Sequence, residues 1–236
     1  MKFYSINSSS NKKILGNYPQ IKGEKHNCHV WDDEKFIDRL EFKEVNFEPI
    51  TSNAILYASS NLTDLINISS IGFGRKLLVS NKLKSIIDSK NKDDVKFFKS
   101  NLIQNGKEIT NYWITNPSRS RLNFINFKKS KVFLTKNYST IIKQLNITNL
   151  EDFLKEKAKI KYPFTIIIKN VNIKKDVNSD FFVLTDISGG IKYIVSKKLK
   201  NEIQYEDCTG IEFQPIELEL NEWLNCQKRI EKYGKY

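Results

Sequence analysis

Apolar residues recur along this chain mostly as short runs separated by polar and charged residues, a spacing that favours strands and short helices over long ones. Leu77-Leu78-Val79, Ile166-Ile167-Ile168 and Phe181-Phe182-Val183-Leu184 are β-favouring runs. Tyr112-Trp113-Ile114-Thr115 reads as a further strand closed by Asn116-Pro117, and Met1 to Ile6 as an opening strand. Helical spacing appears at Leu83, Ile86 and Ile87, at Leu199 and Ile203, and at Leu150, Phe153 and Leu154. Thr148 with Glu151 three residues on fits a capping box for the last of these. Asn105-Gly106 is a hairpin signal, and Ser188-Gly189-Gly190 marks another turn.

The pattern repeats. Residues 74–102 and 190–218 align without a gap, with ten identities in 29 positions, among them Val79/Val195, Ser80/Ser196, Leu83/Leu199, Ile87/Ile203 and Phe97/Phe213. In each copy a short strand runs into a serine that stands where a helix N-cap belongs. An apolar stripe follows, and then a strand carrying Val95 and Phe97, or Ile211 and Phe213. An offset near half the chain suggests two related lobes, not a solenoid. The expected class is therefore α+β and strand-rich, each lobe having a mostly antiparallel sheet and short helices. The N-terminal lobe is placed at 1–130 and the C-terminal lobe at 131–236, with the bridge near Asn126 to Lys136.

Charge changes the picture. The 236 residues carry 39 Lys and Arg against 27 Asp and Glu, a net +12. Only five of the cations are Arg (Arg39, Arg75, Arg119, Arg121 and Arg229), whereas nucleic-acid readers lean on the planar Arg fork. A basic nucleic-acid-associated protein, using Lys128-Lys129-Ser130-Lys131 with Arg119 and Arg121, is therefore the alternative reading. Against the basic background, residues 201–223 hold seven acids and no Lys or Arg. With Ile211 and Phe213 inward, Glu212 is expected to point outward. Ile216, Leu218 and Leu220 then alternate with outward Glu217 and Glu219. Glu206, Asp207, Glu212, Glu217 and Glu219 are the candidate partner-binding residues, an acidic surface facing a basic partner.

Chemistry is scarce by comparison. The two histidines fall in His26-Asn27-Cys28-His29, where ligand count and spacing fall short of a closed tetrahedral site, so no metal is expected. An enzyme built on His26 and Cys28 ranks last, since neighbouring Cys28 and His29 side chains point apart. Gly72-Phe73-Gly74 lacks the third glycine and the Lys-Ser/Thr pair of a phosphate loop, and no cofactor is expected. Cys28, Cys208 and Cys226 suggest no disulfide framework. No apolar run approaches the ~20 residues needed to cross a bilayer, and the N-terminus lacks a secretory apolar segment, so a cytoplasmic protein is expected.

Four segments together are familiar: Thr63-Asp64-Leu65, Leu78 to Lys84, Tyr112 to Pro117, and Lys129-Ser130. The most specific part is Tyr193-Ile194-Val195-Ser196 followed by Thr209-Gly210-Ile211-Glu212-Phe213-Gln214-Pro215. Over roughly residues 50–220 the chain resembles the bacterial immunity proteins encoded beside polymorphic-toxin and secretion-system effectors. The resemblance implies a non-catalytic binder that neutralises a cognate toxin protein by occlusion. It brings no catalytic residues with it.

Overall fold

The computed structural model describes residues 2–43, 45–68 and 72–234. In chain order the strands are β1 (Phe3–Ser8), β2 (Ile21–Lys25), β3 (Asn53–Leu56), β4 (Leu65–Ile66), β5 (Leu78–Ser80), β6 (Val95–Lys99), β7 (Leu102–Gln104), β8 (Lys107–Ile109), β9 (Tyr112–Pro117), β10 (Lys131–Lys136), β11 (Thr140–Leu145), β12 (Phe164–Lys169), β13 (Phe181–Ile187), β14 (Gly190–Ser196) and β15 (Ile211–Pro215). The helices are α1 (Lys12–Leu15), α2 (Asn81–Asp88), α3 (Leu150–Lys159), α4 (Lys197–Tyr205), α5 (Leu220–Leu224) and α6 (Gln227–Tyr233). The class is α+β and strand-rich.

Three sheets result: β11-β10-β12-β13-β14-β1-β15, β4-β5-β9-β6 and β2-β3-β7-β8. Pairing is antiparallel except for β12 with β13 and β3 with β7. The period of two in a strand decides which core each side chain joins. Phe181 and Val183 join α2 and α4 in the central core, while Phe182 and Leu184 join Phe153 of α3 on the other face of the large sheet. Leu77 and Val79 likewise join the central core, and Leu78 joins Ala54 and Leu102 of the third sheet. A buried side chain of this size contributes about 1.5–3 kcal/mol, so the alternation fixes both register and layer order.

The two repeat segments adopt one arrangement, β5-α2-β6 and β14-α4-β15. Ser80 Oγ accepts from Leu83 N at 3.2 Å, and Ser196 Oγ accepts from Leu199 N at 3.1 Å. The correspondence reaches further back than residue 74. Ser80 Oγ donates to Asp64 at 2.6 Å and Ser196 Oγ to Asp180 at 2.5 Å. Thr63 and Ser179 each hydrogen-bond the carbonyl two residues on. The helices of the two copies pack on each other, with Lys90 3.8 Å from Glu202.

The middle strand of each unit has a different origin. β5 and β6 flank β9, which follows them in sequence; β14 and β15 flank β1, the first strand of the chain. The position equivalent to β9 in the second copy lies within α6. A slot between two strands leaves ladder donors and acceptors unpaired until something fills it, and β1 does so.

Local expectations hold where the signal is short-range. Asn105 (φ +52°) and Gly106 (φ +75°) form the β7–β8 turn, both left-handed as such a two-residue turn requires. At α3 the cap differs: Asn149 Oδ1 accepts from Asp152 N at 2.9 Å, displacing the expected Thr148 box by one residue. Beyond Pro215 the expected strand is replaced by a turn and then α5. Leu218 N bonds back to the Pro215 carbonyl, which closes the turn.

Candidate functional site

The acidic segment divides. Glu206 and Asp207 are exposed just after α4; Glu217 is exposed and Glu219 half-buried beyond β15. β15 separates the two groups by about 13 Å of extended chain at ~3.3 Å per residue. Glu219 is partly engaged, since its Oε1 accepts from Asn170 N at 2.8 Å.

Glu212 is a correction to the outward orientation read from alternation. It is 5% exposed, and both oxygens meet Arg229: Nε to Oε1 at 2.9 Å and Nη2 to Oε2 at 3.0 Å. Trp223 Nε1 donates to Oε1 at 2.5 Å, and Arg229 Nη1 donates to the Gly234 carbonyl at 2.7 Å. α5 and α6 fold back over β15, so the strand is covered on both faces and alternation no longer separates core from solvent. The guanidinium fork matches a carboxylate bidentately and compensates the desolvation of both charges. This pair fastens the C-terminal helices to the sheet.

Cys208 follows Asp207. Burial, then Asp64 and the neighbouring Glu206 and Asp207, push its thiol up to about 11 despite the opposing pull of Lys82. At neutral pH it is therefore a thiol and not a nucleophile. His26 Nδ1 lies 2.8 Å from Ser52 Oγ, and His29 Nδ1 lies 2.8 Å from exposed Asp32. Cys28 packs beside the third core, and burial with Asp33 raises its thiol as well. Among the described residues no group of three or more His, Cys, Asp or Glu is placed to hold a metal ion. Of the alternative reading's residues, Arg121 is bound to Asp94, itself 1% exposed, through Nε at 2.8 and 2.9 Å from the two carboxylate oxygens and Nη2 at 2.6 Å from Oδ1. Arg119, Lys128, Lys129 and Lys131 are exposed.

Two features of the large sheet had no sequence signal. β12 and β13 touch in register only at Ile168 and Ile187, so the sheet parts between them. A cleft of about 800 Å³ opens there, bordered by Phe42 and Arg75 from the first half and by Ile167, Lys169 and Ile191 from the second. Lys157 and Asp186, 2.6 Å apart, also line it. Beside it the β10–β11 hairpin projects its outer strand, with every residue from Thr140 to Gln144 exposed. Neither feature converges nucleophile, base and oxyanion donors as a reaction would require.

The family model described as Immunity protein family (Imm11) matches residues 3–218. No curated protein matches the chain.

Proposed function

Because the chain belongs to the Imm11 immunity protein family, which implies immunity against a toxin, we propose that it binds its cognate toxin directly and neutralises it by occlusion, without chemistry of its own. The observation that carries this is the extent of the family match, nearly the whole described chain, so that the fold itself is the family's unit and not an appendage. The physical features support the same reading. The three sheets are packed on three apolar cores, and a partner surface already folded before binding loses little entropy on association. Its accessible surface, 12629 Å², is ample for the ~800 Å² per partner of a stable interface. No helix among the described residues is long and apolar enough to cross a membrane, and we place the protein in the cytoplasm, where it would meet a toxin before damage is done.

Co-expression tests the proposal. Cells producing the cognate toxin domain should survive when this protein is co-produced and die without it. Death in both cases, with the protein soluble and folded, would refute the proposal.

A further inference from the structure

The two edges of the seven-stranded sheet are treated differently. At β15, Phe213 N donates to Tyr233 Oη at 3.2 Å and α5–α6 lie across the strand. At the other edge β11 pairs only with β10 and carries nothing on its outer side among the described residues. Ile141 and Ile142 are 46% and 49% exposed, although β-branched residues of this kind are usually buried. A free strand edge presents a row of backbone donors and acceptors that another strand can complete.

Three observations say what kind of strand fits. Residues 122–150 contain Lys128, Lys129, Lys131, Lys136 and Lys143 and no Asp or Glu. Ile142 has no register partner on β10, so the strand bulges at its middle. Lysines and a bulge on an edge both discourage pairing between like copies, yet the same lysines attract carboxylates. Finally, Tyr138 and Tyr162, 71% and 83% exposed, stand at the hairpin end, held there by Asn137 N donating to the Pro163 carbonyl at 2.8 Å. Exposed aromatics are common anchors at interfaces.

We propose that the free edge of β11 receives an extended, carboxylate-bearing strand of the cognate toxin, which continues the sheet and meets Lys136 and Lys143 with its acids. This inference rests on the function proposed above. It adds the docking edge and the partner's chemistry.

Hydrogen exchange on the protein, alone and with the purified cognate toxin domain, tests the proposal. Main-chain pairing should slow exchange of the outward-facing amides among residues 140–145, those not already bonded to β10, about tenfold or more. Lys143→Glu should weaken the complex about tenfold at 50 mM salt and clearly less at 500 mM, because a surface charge contact is screened. Since Lys143 itself is exposed, that variant should unfold at the wild-type midpoint. Tight toxin binding with unchanged exchange at 140–145 would overturn the β11 site and leave the proposed function standing. Concentration-dependent protection of the free protein would overturn it in favour of a second copy of this chain. Equal protection by a DNA or RNA oligonucleotide would overturn it in favour of phosphate binding by the lysines. No toxin binding at all would refute the proposed function itself.

Discussion

Arg229 holds Glu212 through two parallel hydrogen bonds inside the protein, with side chains 1% and 7% exposed. Removing one partner leaves the other charge buried and uncompensated, which typically costs 3–5 kcal/mol. We expect Arg229→Met to destabilise by about 3 kcal/mol or more in urea unfolding. Pairing it with Glu212→Gln should recover part of the loss. A double mutant as unstable as the sum of the two singles would show that the pair is not coupled.

The serine caps give a second expectation. Ser80→Ala and Ser196→Ala should each cost about 1 kcal/mol, the usual value for losing a cap acceptor. Their carboxylate partners should not be equivalent. Asp64 also accepts from Thr209 N at 2.8 Å and Thr209 Oγ1 at 3.3 Å, which ties the two copies together. Asp180 has instead a distant Lys198, 3.9 Å away and largely exposed. Asp64→Ala should therefore cost about 1 kcal/mol more than Asp180→Ala, the usual net value of one exposed intramolecular hydrogen bond. Equal losses in thermal unfolding would contradict this.

These two cases show what was legible in the sequence. The caps, the helical stripes and the Asn105-Gly106 turn are set by neighbours a few residues apart, and the chain states them directly. Glu212 is decided by Arg229, seventeen residues away on a helix whose docking no local pattern reports. The resemblance identified the family because its motif residues are structural, and for the same reason it did not locate the contact surface. The parting of β12 from β13 and the bare edge of β11 depend on which strands become neighbours, a property of the assembled sheet. The one-residue shift from Thr148 to Asn149 reflects two good cap residues competing for adjacent positions.

Thiol labelling offers a pH-dependent check. Burial and the acids around Cys208 raise its thiol to about 11 from an ordinary value near 9. At pH 8 its thiolate fraction is then about a hundredfold below that of an unhindered cysteine, by ordinary titration. Alkylation of native protein should be correspondingly slow at Cys208 and should accelerate as pH rises toward 11. Prompt stoichiometric labelling at pH 8, mapped by mass spectrometry, would contradict the described environment.

The exposed acids are tested by reversal. Glu206→Lys with Glu217→Lys changes charge at both ends of β15, on the sheet edge opposite β11. That edge lies more than one Debye length, about 10 Å at 0.1 M salt, from the proposed docking strand. The association rate with the toxin domain should therefore change less than about threefold. A large drop that disappears at high salt would instead place a basic face of the toxin against these carboxylates.

Titration of toxin activity with the purified protein tests neutralisation by occlusion most directly. A stoichiometric binder removes activity linearly and completely at one equivalent, and separation of the complex under denaturing conditions returns an unmodified toxin. Inactivation by far less than one equivalent, or a covalently altered toxin recovered from the mixture, would show that the protein acts as a catalyst and would contradict the account.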